Sequence, residues 1–457
     1  MTVKAWERAR LSRDARFDGR FFIGVTSTGI YCRPICPSPP AKASNVLYFA
    51  TAAAAAEAGF RPCLRCRPEA SPGTPAWVGA PTTVSRALKL ISQSALDDGD
   101  VEGLAQRLGV GSRHLRRLFL RYLGATPVAV AQTRRVHFAK KLIDETRLTM
   151  TQVAMASGFG SVRRFNTTFR ELYGRTPSEL RLASKKSGPA GTYQFRLAFR
   201  PPYDWAALLR FLKPRATPGV ETTTADEYRR TISLDGKHGE IAIRHAAKGD
   251  ALDLDIRFPE SAALFRIVER VRRMFDLAAD PSLINALLSK NAVLRPLVRR
   301  SPGLRVAGCW DGFEVTVRAI LGQQVSVSAA TTLAGRLAAA YGEETEAGKL
   351  FPTPQRLAEE DLGGIGLTTA RARTIRDLAA EVAAGRICFE HWNSPEEVET
   401  TLTKVRGIGP WTAQYVAMRL GEPDAFPAQD LYLKEFGAQA SEWSPWKAYA
   451  AMHLWNR

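Results

Sequence analysis

The chain has 457 residues, enough for roughly two to four domains, with 64 Lys and Arg against 45 Asp and Glu and a formal net charge of +19. That balance points to a polyanionic partner and argues against an acidic, disordered tail protein. No apolar run is long enough to span a membrane, MTVKAWERARLSRDARF holds no apolar signal segment, and six Cys are too sparse for a disulfide scaffold, so a reduced, cytoplasmic protein is expected.

The charge is uneven. Residues 1–190 carry 30 basic and 13 acidic side chains, whereas 191–457 carry 34 and 32. The first part is therefore the electrostatic binder, and the second must use its charge locally if it binds nucleic acid. Linkers are expected at Pro68–Pro81 and at Ser184–Gly191, where the charge changes. A softer boundary falls at Phe258–Pro259, where alternation gives way to helical spacing.

Segment 1–70 mixes strand-like pieces at Arg20–Val25 and Val46–Phe49 with an alanine-rich helix and four clustered cysteines, Cys32, Cys36, Cys63 and Cys66. The C-x3-C and C-x2-C pairs can each bring two thiolates to one tetrahedral ion, which predicts zinc; the competing reading is two unrelated pairs in a core. Cys309 and Cys388 stand alone and read as packed thiols. Spacing fits both a closed structural zinc and one with a reactive sulfur.

The phrases FDGRFFIGVTSTGIYCRPICP and GFRPCLRCRP resemble the methylphosphotriester-accepting zinc domain of the Ada family. The resemblance implies that Cys32 takes a methyl group from a DNA backbone methylphosphotriester, and that Thr28, Arg33 and Arg61 contact DNA. Zinc holds the sulfur as thiolate, the nucleophilic form. Four thiolates on one zinc leave a charge of about −2 that phosphates repel, so alkylating one sulfur favours binding. Pro37 and Pro39 stand where the best-known member has basic residues, which implies different backbone contacts.

Segment 82–185 reads as helical throughout. EGLAQRLGVGSRHLRRLFLR gives helix, glycine turn, helix, with Leu104, Leu108, Val110, Leu115 and Leu118 inward and Arg113, His114, Arg116 and Arg117 outward. The pattern recurs in TMTQVAMASGFGSVRRFNTTFREL, with Val153, Ala154, Phe159, Phe165 and Phe169 inward and Arg163, Arg164 and Arg170 outward. A short arginine-studded helix suits the major groove and its phosphate rims; a solvated basic face is the plainer alternative. The two units, with Arg134-Arg135 between them and the closing phrases GATP and GRTP, resemble the AraC-type DNA-binding domain. That implies recognition helices in successive major grooves of a promoter and, for an activator, RNA polymerase as partner.

Segment 192–258 alternates, with Tyr193, Phe195, Leu197 and Phe199 on one face, and predicts an antiparallel sheet. Segment 261–457 is amphipathic helix with Gly or Pro at the joints. Its sharpest phrase is LTKVRGIGPWTAQYVAMRLG, two helices around a turn containing Gly407 and Gly409, whose amides can hold a DNA phosphate without a positive side chain. A G-x-G turn alone is more often a helix cap. Asp430 follows some twenty residues later in FPAQDLYL, where on its own it reads as a helix N-cap, and Asp424 as a turn residue.

This combination, with FEVTVRAILGQQVSVSAATTLAGRL and WSPWKAYAAMHLW, resembles the AlkA-type 3-methyladenine DNA glycosylases of the helix-hairpin-helix superfamily. The resemblance implies that Asp430 acts on a flipped nucleotide, that Trp411, Tyr415 and Trp455 line the base pocket, and that Gln323 and Gln324 meet the DNA. Gln324 stands where the best-known member inserts a Leu into the base stack. Strand-cutting relatives carry a Schiff-base Lys where Trp411 stands, so simple hydrolysis without a cofactor is implied. No Pro-Cys-His-Arg occurs, so no O6-alkylguanine transferase half is expected.

The expectation is thus a multidomain α+β, helix-dominated chain that binds double-stranded DNA. Its modules are a four-cysteine zinc domain (1–70), a double helix-turn-helix (82–185), an antiparallel-sheet domain (192–258) and an all-helical glycosylase domain (261–457). The implied function joins methyl sensing, transcriptional activation and alkylbase excision; the alternative is a methylation-responsive regulator with a silent glycosylase half.

Overall fold

The computed structural model describes residues 3–72, 82–92, 95–97, 99–181, 191–389, 392 and 394–457. Of the linker expected at Pro68–Pro81, residues 73–81 lie outside the described residues, as does the linker at Ser184–Gly191 apart from Gly191.

Helix α1 (Val3–Ser12) leads into a four-stranded sheet of β1 (Phe22–Val25), β2 (Ile30–Cys32), β3 (Val46–Phe49) and β4 (Arg61–Pro62), in the order β3-β1-β2-β4. Strand β2 pairs antiparallel with β1 and parallel with β4, with Tyr31 opposite Pro62. That register sets Cys32, the last residue of β2, beside Cys63, the residue after β4. Helix α2 (Ala52–Glu57) starts where Thr51 accepts the Ala54 N–H at 3.0 Å, and buries Ala53, Ala54 and Ala55.

Six helices follow: α3 (Thr82–Ser92), α4 (Val101–Arg107), α5 (Ser112–Leu123), α6 (Pro127–Glu145), α7 (Met150–Ala156) and α8 (Val162–Tyr173). The repeat seen in sequence is a repeat in structure. Helices α5 and α8 end on Gly124 (φ 69°) and Gly174 (φ 68°), where a left-handed backbone excludes most other residues. The inward residues of both units are buried or half-buried, as the 3.6-residue spacing requires.

Strands β5 (Thr192–Ala198), β6 (Glu221–Thr223), β7 (Glu227–Leu234), β8 (Lys237–His245) and β9 (Ala251–Arg257) form an antiparallel sheet, β5-β9-β8-β7-β6, with helix α9 (Trp205–Leu212) inserted after β5. Helix α10 (Leu264–Met274) lays Ile267, Val268 and Val271 into the core that holds Phe195, Ile241, Leu254 and Phe258. The seam at Phe258–Pro259 therefore separates strand from helix but does not interrupt the core. The same core includes Phe138, Phe165 and Phe169, so the helix-turn-helix module packs directly on the sheet.

The remaining helices are α11 (Pro281–Leu288), α12 (Leu294–Arg300), α13 (Gly312–Leu321), α14 (Val327–Tyr341), α15 (Pro354–Glu359), α16 (Thr369–Ala383), α17 (Pro395–Leu402), α18 (Pro410–Arg419) and α19 (Lys447–Trp455), with a small hairpin, β10 (Glu344–Thr345) and β11 (Gly348–Lys349). They enclose one core from Ile284 to Leu454. A buried ion cluster joins the sheet to α13: Arg230 pairs with Glu314 at 2.7 Å, and Arg318 pairs with Glu221 and Glu314, each at 2.9 Å. Ion pairs across the modules include Lys89–Glu422 (2.5 Å), Arg134–Glu269 (2.7 Å) and buried Arg20–Asp280 (3.0 Å).

Candidate active site and nucleic-acid interface

The sulfurs of Cys32, Cys36, Cys63 and Cys66 all lie within 4.8 Å of one another. Zinc–sulfur bonds of ~2.3 Å put tetrahedral thiolates roughly 3.8 Å apart, so the four residues fit that ion. Crowding sets them against each other: hydrogen bonding with Cys36 and Cys63 pushes the Cys32 thiol up, while the three neighbouring cysteines hold Cys36 down as thiolate. A cation bound among them would bring all four sulfurs to the thiolate form.

Cys63 and Cys66 are buried, whereas Cys32 and Cys36 are half-exposed. Cys32, Cys36 and Cys63 line a groove of about 540 Å³ together with Thr28, Arg61, Arg65 and Arg175. Thr28 and Arg61 are exposed there. Arg33 differs from expectation. It is buried, donates to Asp18 from Nε at 2.9 Å and to the Cys66 carbonyl at 3.0 Å, and so braces the cysteine loop instead of reaching DNA. An Arg between two cysteines reads as basic surface in sequence, and its buried partner fifteen residues earlier carries no motif. Arg65 and Arg175 escaped the sequence reading, although Arg65 lies inside C-x2-C and Arg175 in GRTP.

On α5, Arg113, Arg116 and Arg117 are exposed, as are Arg163, Arg164 and Arg170 on α8. His114 is exposed too, its Nδ1 2.9 Å from Arg117 Nη2. Arg134 and Arg135 instead serve the fold: Arg134 donates to the Ile91 and Ser92 carbonyls at 2.7 and 3.0 Å, and Arg135 to Asp97 at 2.7 Å.

The second centre forms around α18. Asp430 Oδ2 accepts the Trp411 indole N–H at 3.3 Å, and Oδ1 accepts the Trp455 indole N–H at 3.1 Å and the Tyr432 amide at 3.0 Å. Asp430 thus heads a tight turn and is not a helix N-cap, because the next helical turn begins only at Lys434, after Leu433; it also faces two aromatic side chains. Trp411 and Tyr415 stack at 5.7 Å and 12°, and Tyr415 and Trp455 meet at 6.3 Å. All four groups are half-buried. Asp424 is a structural turn residue, accepting from Ser444 at 2.9 Å and pairing with Lys447 at 3.2 Å.

The wall behind these aromatics was not legible in sequence. Arg419, buried, donates to the Tyr415 hydroxyl at 2.8 Å and to the carbonyls of Ala307 and Gly308 at 2.6 and 2.9 Å. Burial would push the Tyr415 phenol up, but the charges of Arg419, Arg215 and Arg318 outweigh it and hold it below its ordinary range. Phe211, from α9, stacks on Trp455 at 6.5 Å.

Gln323 Nε2 donates to the Gly407 carbonyl and to Thr412 Oγ1, both at 3.0 Å, tying the loop after α13 to the hairpin turn. Gln324 is exposed in a left-handed conformation (φ 55°). The two hairpin glycines differ: at Gly407 (φ 92°) a Cβ would lie 2.1 Å from Thr374 Oγ1, whereas nothing lies within 4 Å of one at Gly409. Gly407 therefore serves the turn, and Gly409 opens the N-terminus of α18 to an approaching backbone. No helix among the described residues is long and apolar enough to cross a membrane.

Family models match four stretches: the metal binding domain of Ada (5–69), a helix-turn-helix domain (104–183), the AlkA N-terminal domain (194–311) and the HhH-GPD superfamily base excision DNA repair protein (317–454). The probable bifunctional transcriptional activator/DNA repair enzyme AlkA of Mycobacterium tuberculosis is 40% identical over 98% of this chain and 95% of its own length. The DNA-3-methyladenine glycosylase 2 of Escherichia coli is 33% identical over 57% of this chain and 96% of its own. A 3-methyladenine DNA-glycosylase from Archaeoglobus fulgidus shares the fold of 57% of the chain, with a TM-score of 0.51 at 23% identity. A zinc-binding cysteine centre, a double helix-turn-helix and a helix-hairpin-helix glycosylase fold in one continuous match of this extent make the chain a member of the family of AlkA bifunctional transcriptional activator/DNA repair enzymes.

Proposed function

We propose that the C-terminal half is a monofunctional DNA glycosylase that hydrolyses the N-glycosidic bond of alkylated bases such as 3-methyladenine, and that Cys32 is a stoichiometric methyl acceptor. The observation that carries the first reading is the Asp430 carboxylate held between the indoles of Trp411 and Trp455. Those donors fix both oxygens beside the stacked rings of Trp411 and Tyr415. A carboxylate so fixed stabilises the positive charge that develops at C1′ as the base departs, and orients the attacking water. A cationic alkylated base leaves readily and stacks on Trp411 and Tyr415. Trp411 offers no amine for a Schiff base, so the product is an abasic site in an intact strand.

For the acceptor, the half-exposed Cys32 on a groove with Arg61, Arg65 and Arg175 supports attack on a backbone methyl group. Bound zinc would keep the four cysteine sulfurs ionised. The Cys32 sulfur attacks the methyl carbon, the methyl carbon–oxygen bond breaks, and the phosphodiester anion leaves. The sulfur loses its charge, phosphate repulsion falls, and the Arg113, Arg116, Arg117, Arg163 and Arg164 surfaces engage a promoter more tightly, with RNA polymerase as the downstream partner. The test is incubation with methylated duplex DNA. Free 3-methyladenine, uncut strands and one methyl group mapped to Cys32 are expected; no base release by the zinc-loaded protein would leave a regulator with a silent glycosylase half.

A further inference from the structure

Among the described residues, the two most exposed large hydrophobic side chains are Leu431 and Tyr432, 69% and 68% exposed, directly after Asp430. Val325 (36%), on the loop after α13, and Val327 (40%), the first residue of α14, are exposed. These two loops are held at the same place. Gln323 bonds Thr412 and Asp430 bonds Trp411, so both loops attach to adjacent residues at the N-terminus of α18. Apolar side chains standing in water around a pocket mouth mark a contact surface.

The Asp430 turn is closed by its own hydrogen bonds. The Asp430 carbonyl accepts from the Leu433 and Lys434 amides at 3.1 and 2.9 Å, and Leu433 is fully buried. Leu431 and Tyr432 are thus projected outward by a fixed turn whose other end is anchored in the core. Gln324, by contrast, is polar and would carry its hydrogen-bonding groups into a base stack uncompensated.

We propose, resting on the glycosylase reading above, that Leu431 and Tyr432 form an apolar lip that enters the duplex beside the extruded nucleotide. The lip takes up the stacking surface vacated by the flipped base, a role that Gln324 fills poorly. Its ligand is a base step of double-stranded DNA next to an empty or extruded position. Leu431 supplies shape and Tyr432 a stacking face, and each base–aromatic stack adds affinity without sequence preference. Because the lip and the carboxylate share one turn, insertion of the lip also sets the distance from Asp430 to the sugar. Both are positioning residues.

The test uses the full zinc-loaded chain and duplexes carrying a stable abasic-site analogue next to 2-aminopurine, so that no bond cleavage is needed. The readouts are the fluorescence rise on binding and the preference for abasic over intact duplex, a ratio that cancels the contribution of the basic N-terminal half. With Leu431→Ala and Tyr432→Ala together, the fluorescence rise is lost and the preference falls at least tenfold. Leu431→Asn, which keeps side-chain length, falls in the same direction, and Leu11→Ala, an exposed Leu in α1, serves as surface control. Unchanged melting confirms the fold. Fluorescence and preference within twofold of wild type in the double variant would overturn the lip. Absence of base release by the wild type would instead count against the glycosylase reading, and the two failures are separable.

Discussion

The hydroxyl of Tyr31 lies 2.9 Å from His137 Nε2, linking the strand that ends in Cys32 to the helix between the two helix-turn-helix units. Tyr31 is buried and His137 half-buried, and the rings lie 6.5 Å apart at 29°. The segment after the last cysteine is clamped to the same helix: Arg67 pairs with Asp144 at 2.8 Å, and Glu69 accepts from Tyr173 on α8 at 3.4 Å. Residues adjacent to two of the four ligands therefore carry the docking of the zinc module.

Tyr31→Phe removes one hydroxyl and leaves a buried imidazole nitrogen without it. The expected cost is about 1–3 kcal/mol, read as a lower urea midpoint with zinc content unchanged. An unaltered midpoint would mean that the hydrogen bond contributes nothing to docking.

Stability should fall with acid in a defined window. Burial pushes His137 and His453 down to about 4, so each binds a proton in the unfolded chain and refuses it in the folded one below its ordinary value of 6.5. Their contribution is complete above pH 6.5 and lost as pH falls toward 4, up to about 3 kcal/mol for His137. Asp276 works in the opposite sense: burial raises it to about 6, so its contribution is present at acid pH and lost as pH rises through 6. Between pH 6 and 4 the two histidines take up two protons on unfolding and Asp276 releases one, a net uptake of about one. His453→Gln should remove one proton from the pH slope of urea stability; an unchanged slope would contradict the assignment.

The buried cluster of Arg230, Arg318, Glu221 and Glu314 makes a third prediction. Burial acts to raise Glu221, but Arg318 and Arg230 outweigh it and hold the carboxyl at about 2. Arg230→Met strips Glu314 of its 2.7 Å partner and should cost about 3–5 kcal/mol, measured by chemical unfolding. Arg230→Met with Glu314→Leu should recover part of that loss.

Exposed and committed arginines should separate in salt titrations of duplex binding. Removing Arg113 or Arg117 should lower the slope of log K against log salt by about 0.9 for each phosphate that is no longer neutralised. Arg134→Ala should leave the slope unchanged, because its guanidinium is spent on Ile91, Ser92 and Glu269.

The parts of the molecule legible in sequence were those where chemistry follows from spacing. Two short cysteine pairs converge because β2 and β4 are neighbours. The periodicity of Leu104, Leu115, Phe165 and Phe169 fixes which faces are buried, and alternation at Phe195 and Leu197 marks the sheet. What escaped depends on partners distant in sequence. Asp18 meets Arg33 through sheet packing, and Arg419 braces Tyr415 by bonding carbonyls more than a hundred residues earlier. The continuity of the core through Phe258 was hidden because a strand-to-helix change in periodicity looks the same whether or not the core divides.

The most direct test is release of free base from alkylated duplex DNA by wild type and by Asp430→Asn. The substitution keeps the shape of the turn but removes the charge that we propose stabilises the sugar cation, so base release should fall by about 10²- to 10³-fold or more, with abasic-duplex binding retained. Release by Asp430→Asn at the wild-type rate would contradict the account, because the carboxylate between Trp411 and Trp455 would then not be the catalytic group.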